Sequence, residues 1–310
     1  MNKKNIKSKG LLVPPIGRWN PTAFSGGGGT EAVAISPHDS NFIILNSDMS
    51  GVFISRDGGK TWRIIPFQQI NACPYCSPVF HPINPNVIYA ANGYAGELRV
   101  TRDGGTTWQA VGKNSPDGLR TITIDPLLPT RILAGHNNGL SLSEDNGESW
   151  RDIADIKDPV SHVYFSRANI SNNRFMYAVT ARVVYRSPNG SKWEVVYSVS
   201  ESRKIVSFAG SSGEAEGDIV LYLLTADSSV KSGCEEEILI SHDVGVRWEP
   251  VTSMPGHSNI SLKERLPTGY LLANDVRRDT IYVVKKFYSP SDTVWRSDDR
   301  GYRWRQVAKA

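Results

Sequence analysis

Short apolar runs, cut at regular intervals by Gly, Pro, Asn and Asp, fill the chain from "TEAVAIS" near residue 30 to its end. "TEAVAIS", "FIILNSD", "GVFIS" and "WRIIPF" form a first group, and "SPVFH", "VIYAAN", "LRVT" and "WQAVG" a second. "RTITID", "RILAGH", "LSLS" and "WRDIA" follow, then "SHVYFS", "FMYAVTA", "VVYRS" and "WEVVYS". The remainder continues with "IVLYLLT", "EILIS", "YLLAN", "TIYVVKKF" and "TVWRS". Runs this short, rich in Val, Ile, Tyr and Phe and bounded by turn formers, are strands. No segment sustains a helical apolar period, so the chain is predicted to be all-β.

The punctuation between the third and fourth run of each group is itself repeated. "SRDGGKTW" at 55–62 returns as "TRDGGTTW" at 101–108, "SEDNGESW" at 143–150, "SHDVGVRW" at 241–248 and "SDDRGYRW" at 297–304. A shorter form, "SPNGSKW", occupies 187–193. The third residues are Asp57, Asp103, Asp145, Asn189, Asp243 and Asp299, at intervals of 46, 42, 44, 54 and 56 residues. That period is the length of a four-stranded propeller blade with its loops. The residue types suit a tight turn. Ser, Thr and Asp bond nearby backbone, and Gly accepts positive φ. The Trp that follows carries a large apolar surface to bury against a neighbouring sheet.

These phrases resemble the Asp-box, or BNR repeat, of sialidase-like β-propellers, Ser/Thr-x-Asp-x-Gly-x-Thr/Ser-Trp. The copies at 55, 101 and 143 match in full; Arg247 and Arg303 replace the Thr in two others, and Asn189 replaces the Asp in the short one. The resemblance implies a propeller of six, or else seven, four-stranded antiparallel blades. It also implies that the boxes are folding devices away from any active site. The expected organisation is a basic tail over 1–17 and one propeller domain over 18–310. "RWNPTAF" at 18–24 reads as an outer strand without a blade of its own. It would close six blades at an edge, or belong to a ring with a seventh.

Composition narrows the function classes. A formal charge of +4 spread over 310 residues does not argue for nucleic acid. No apolar run reaches the ~18–20 residues that span a bilayer. "GLLVPPIG" is too short and too Pro-broken for a secretory signal. Read literally, that places the chain in the cytoplasm, whereas the enzyme resemblance given below implies secretion. No residue pattern calls for a cofactor, and nothing indicates an oligomeric state. Three cysteines make no disulfide framework. "CPYC" at 73–76 has the spacing of a redox pair but lacks a helical setting to lower a thiol pKa. With His81 it offers three zinc ligands where about four are needed, Cys234 being distant. A structural loop pair, a local disulfide and a metal site all remain open.

Alternation of antiparallel strands, lettered A to D from the axis, sorts the loops onto two faces. A–B and C–D turns share one face; B–C turns and D–A links share the other. The boxes are C–D turns, so a site is expected on the B–C face. Counting back seven residues from each box reaches Asp48, Tyr94, His136 and Thr180, the last beside Arg182. The fifth and sixth groups carry insertions, with Asp227 and Asp292 as the nearby carboxylates. "CPYC" and "SGGGG" at 25–29 fall on this face too. The glycine run is no phosphate loop, because no Lys-Ser/Thr or helix follows it.

Residues 18–62 resemble the opening of glycoside hydrolase family 74, the xyloglucanases, which have a Trp-containing strand, a Gly-rich turn and a Thr-Asp-x-Gly-Gly motif in the first blade. The resemblance implies that Asp48 is a catalytic base, with Ser47 for the Thr, Ser50 for the first Gly and Gly51 for the second. Family members pair two propellers and take their general acid from the second one. A partner acid for Asp48 is not identifiable here, although Asp227 or Asp292 would serve if the ring brought one near. The arginine triad and Arg-Ile-Pro motif of sialidases proper are missing. Sortilin-type propellers, which bind peptides, and photosystem assembly factors are further relatives by fold. Two functions follow. One is a recognition module whose B–C face binds a polysaccharide or peptide through Tyr94, His136, Arg182 and Asp227. The other is an inverting glycoside hydrolase using Asp48.

Overall fold

The computed structural model describes residues 29–112, 114–170, 173–213, 215, 217–227, 235–251, 268–273, 277–286 and 293–309. These residues form a ring of six four-stranded antiparallel sheets. The expected strand 18–24, the tail, Cys234 and Asp292 lie outside the described residues.

Blade 1 consists of β1 (Thr30–Ile35), β2 (Ile43–Ser47), β3 (Gly51–Ser55) and β4 (Arg63–Ile64). Blade 2 has β5 (Val79–Phe80), β6 (Ile88–Asn92), β7 (Glu97–Thr101) and β8 (Gln109–Ala110). Blade 3 has β9 (Leu119–Ile124), β10 (Ile132–His136), β11 (Gly139–Ser143) and β12 (Arg151–Asp152). Blade 4 runs through β13 (Val160–Ile170), β14 (Asn173–Thr180), β15 (Val183–Ser187) and β16 (Glu194–Ser198). Blade 5 holds β17 (Arg203–Ser212), β18 (Ile219–Asp227), β19 (Glu235–Ser241) and β20 (Glu249–Pro250). Blade 6 holds β21 (Thr268–Ala273), β22 (Ile281–Lys286), β23 (Thr293–Ser297) and β24 (Arg305–Lys309). Consecutive strands pair in every blade, so sequence order and spatial order coincide. The second strands, such as β10, are buried on both faces and read as unbroken apolar runs.

Each box closes the turn between the third and fourth strand. In the first, Ser55 Oγ donates to Asp57 Oδ1 (2.8 Å) and accepts from the Gly59 N–H (2.8 Å). Asp57 also accepts from the Thr61 N–H (2.9 Å) and the Thr61 hydroxyl (2.6 Å). The same bonds recur around Asp103 and Asp145. Where Arg247 and Arg303 replace the Thr, their N–H groups still donate to Asp243 and Asp299 (2.8 Å each). The substitution forfeits the hydroxyl and leaves the turn intact. A further bond ties box to blade: the Gly58 N–H reaches the Asn41 carbonyl (3.0 Å), and Gly104 reaches Asn86 (2.9 Å). A–B and C–D turns therefore share a face, as the alternation requires.

The boxes also couple neighbouring blades. Arg56 and Arg63 of blade 1 donate to the carbonyls of Gly104 (2.5 Å) and Gly105 (3.2 Å) in the next box. Tyr89 reaches Asn146 O (2.8 Å), Arg131 and Arg151 reach Asn189 O and Gly190 O, and Arg186 and Tyr177 reach Val244 O. Every one of these runs forward, from a blade to the box of the following blade. The indoles run backward. Trp108 of blade 2 packs with Phe42, Ile44, Val52 and Ile54 of blade 1. Trp193 packs on Leu133 and Leu142 of blade 3, and Trp248 on Val179 and Val184 of blade 4. Burying such faces between sheets is what a lone four-stranded sheet cannot do.

Two predictions follow from the boxes. Gly105 has φ +88°, and a methyl group there would lie 2.5 Å from Ile54 Cδ1 across the blade joint. Gly105→Ala should cost ~2–4 kcal/mol, from a left-handed backbone and an overpacked joint together, read as a lowered denaturation midpoint. The hydrogen bonds from Thr61 and Thr107 hold the carboxyls of Asp57 and Asp103 at about 2, below their value in an unfolded chain. A depressed folded-state pKa contributes stability that is present above the unfolded value near 4 and lost as pH falls towards 2. Urea midpoints should drop across that window, and an Asp57→Asn, Asp103→Asn double variant should flatten the drop.

Candidate functional site

On the other face, B–C turns are tied to the chain entering their own blade or the next. The Gly93 N–H donates to Asn71 O (3.0 Å), Gly118 N–H to Ala95 O (2.7 Å), and Ile205 N–H to Ala181 O (2.8 Å). Loops bonded in this way are positioned by the sheets beneath them.

Asp48 opens the turn from β2 to β3. Its N–H donates to Gly29 O (3.1 Å), which fixes the one described residue of the glycine run against it. Its Oδ1 is buried and accepts no hydrogen bond among the described residues, and the same holds for Oδ1 of Asn46, which is 1% exposed. The Asn46 amide N–H₂ donates to the Cys73 carbonyl (2.9 Å). These are two buried acceptors, on alternate residues, to which no described residue donates.

Tyr94, from the blade 2 turn, comes to this place. Its hydroxyl donates to the Asp48 carbonyl (3.3 Å), and its ring remains 61% exposed. Asp48 and Tyr94, counted to equivalent positions of two blades in the sequence, thus meet. His136, Arg182 and Asp227 stand on other blades, each bonded to its own surroundings. The Arg182 guanidinium donates to Glu201 O (3.0 Å), and Asp227 accepts from Ser202 (3.0 Å). His136 is 7% exposed and its Nε2 pairs with Ser141 Oγ (3.0 Å). Ser141 in turn donates to Asp152 Oδ1 (2.6 Å), and Nδ1 accepts the Asn138 N–H (3.3 Å). Burial lowers the His136 pKa, against the opposing pull of Asp152 and Asp117. Asp117, His136, Asn138 and Asp152 line a cavity of about 430 Å³ in the blade 3 sector. A second, of about 370 Å³, lies among the inner strands β13, β17 and β21 and is walled by Tyr164, Phe208 and Leu271.

Two residues that the sequence count missed belong to this place, one beside Asp48 and one beside Tyr94. A methyl group on Gly29 would lie 2.9 Å from Glu31 Oε1 and 3.8 Å from Asp48 Oδ2. The two carboxylates are therefore within about 7 Å of each other. Glu31 lies on the innermost strand, where strand alternation rather than turn counting would have found it. The other is Tyr75, between the cysteines. It is 62% exposed and meets Tyr94 edge to face, with centroids 6.0 Å apart at 78°.

Cys73 and Cys76 are free and fully buried in the core between blades 2 and 3. Burial raises both thiol pKa values, and at Cys76 the Cys73 thiol adds to it. His81 belongs elsewhere, its Nδ1 accepting the N–H groups of Ile83 and Asn84. Among the described residues no cluster of His, Cys, Asp and Glu is able to hold a metal ion. Nor is any described helix long and apolar enough to cross a membrane.

The six box-closed blades define an Asp-box β-propeller. The BNR/Asp-box repeat family model matches residues 53–63. The chain is 21% identical over 228 residues to an oligoxyloglucan reducing end-specific xyloglucanase of Emericella nidulans, spanning 72% of this chain and 27% of that protein. In fold it is similar to an ancestral GH74 enzyme, with TM-score 0.68 and 17% identity over 94% of this chain and 40% of the other. It is also similar to YCF48 bound to D1 peptide, with TM-score 0.56 and 15% identity over 90% and 82%. The chain thus spans well under half the length of the xyloglucanase-type relatives, and at these identities the structural likeness is one of fold.

The thiols yield a prediction. Cys73 and Cys76 should resist Ellman's reagent in the folded protein and react together only on unfolding, because thiolate and access are both suppressed. Rapid modification of these two thiols under native conditions, measured in a Cys234→Ser background, would contradict their burial.

Proposed function

We propose that the protein is a glycan-recognition propeller, and that the Asp48 sector of its B–C face takes a segment of polysaccharide. The observation that carries this reading is the exposed Tyr94 ring bonded to the Asp48 carbonyl, beside the neighbouring carboxylates of Asp48 and Glu31. A sugar offers both complements: hydroxyl donors for the carboxylates and a C–H face for the ring. The likeness to xyloglucan-active proteins supports a glycan over a peptide as the occupant. His136, Arg182 and Asp227 would extend contacts around the face.

A second reading, hydrolysis, draws on one specific observation, the nearness of Glu31 to Asp48. In such a pair one carboxylate activates water while the other protonates the departing oxygen. Asp48 would be the base and Glu31 the acid.

Affinity electrophoresis and reducing-sugar release on xyloglucan and mixed-linkage β-glucan separate the readings. Recognition predicts retardation without release, with affinity lowered by roughly 10–100-fold in Asp48→Ala, since a hydrogen bond to a charged group is worth about 1.5–3 kcal/mol. Release that is abolished in both Asp48→Asn and Glu31→Gln would establish hydrolysis. Neither retardation nor release on any glycan would sink the glycan reading altogether.

A further inference from the structure

The "CPYC" loop has the spacing of redox and metal motifs, yet its thiols are sealed in the core and no metal cluster forms around them among the described residues. What the loop presents to solvent is Tyr75, an aromatic ring that is 62% exposed although an apolar surface of this size is ordinarily buried. The backbone beneath it is held on three sides. The Asn71 N–H donates to Asn92 Oδ1 (2.8 Å), Asn71 O accepts from Gly93 (3.0 Å), and Cys73 O accepts from Asn46 (2.9 Å). With both cysteines buried as anchors, Tyr75 is set out on a fixed arm. Met49, 79% exposed, follows Asp48 in the neighbouring turn.

We propose that this loop is a ligand-presenting arm, and that Tyr75 and Tyr94 together form a stacking corner for one pyranose ring of a neutral glycan. The assignment rests on the glycan reading above and adds a residue and a ligand class to it. The two ring planes meet at 78°, so one can lie under the C–H face of a sugar while the other closes its flank. Asn46 braces the loop through Cys73, and Tyr94 is bonded to Asp48, whose carboxylate lies close to that of Glu31. The corner and the acceptors therefore belong to one constellation. It selects against acidic sugars, because a uronate placed there would face the Asp48 carboxylate and acceptor oxygens without a donor. The cysteines serve as apolar anchors that fix the arm.

The test is isothermal titration of the full chain with neutral xyloglucan oligosaccharide and with oligogalacturonate, using wild type, Tyr75→Phe, Tyr75→Ala and Asp48→Ala. Tyr75→Ala should weaken the neutral ligand by about tenfold, the scale of one lost stacking contact. Tyr75→Phe should bind as wild type does, and oligogalacturonate should bind none of the four. Unchanged melting temperatures, expected for so exposed a side chain, separate a binding defect from misfolding. If Asp48→Ala loses binding while Tyr75→Ala keeps it, the arm is wrong and the glycan site stands. If wild type prefers the acidic ligand, the ligand class is wrong; if it binds neither, arm and site fall together.

Discussion

The structure depends on a carboxylate that accepts several short hydrogen bonds within its own eight-residue turn. Asp57 draws in Ser55 and both donors of Thr61, and that closure turns the neighbouring carbonyls outward. Those carbonyls are what Arg and Tyr side chains of the preceding blade grasp, as Arg56 and Arg63 do at Gly104 and Gly105. A turn thereby becomes a joint. The indole that follows it completes the joint from the other side, so the joints from blade 1 to blade 5 are polar at one level and apolar at the next. None of these bonds is strong alone. Their repetition at successive joints is what makes a ring out of sheets that could not stand singly.

That commitment leaves the opposite face free for function. The box side is consumed by bonds from turn to turn and from blade to blade. On the B–C side the backbone is tied down while side chains such as Tyr75 and Tyr94 remain in solvent. Rigid backbone with exposed aromatic tips is an arrangement suited to binding. The Asp48 sector stands out within this face because it combines such tips with two neighbouring carboxylates.

The sequence revealed the blades because their signals are local. A strand followed by a box occupies some fifteen residues, and the period repeats often enough to be unmistakable. Turn counting likewise located Asp48 and Tyr94, which sit at equivalent places in adjacent blades. Glu31 was invisible to that counting because it reaches Asp48 from the inner strand, across Gly29. Tyr75 was hidden by its own neighbours, since a Cys-x-x-Cys spacing draws attention to sulfur. Which of the four residues faces water depends on packing against blades 2 and 3, and no spacing encodes that. His136 was found as a position but not as a buried partner of Ser141 and Asp152.

The one-way reach of the inter-blade side chains bears on how such a chain can change. Because Arg131 and Arg151 serve a turn that lies more than thirty residues ahead, excising one sheet would orphan its successor's carbonyls and its predecessor's donors. Duplication or deletion has to carry a donor and its downstream acceptor together. The heritable module of this architecture is accordingly a seam, with half of each flanking sheet, in place of the sheet that the eye picks out.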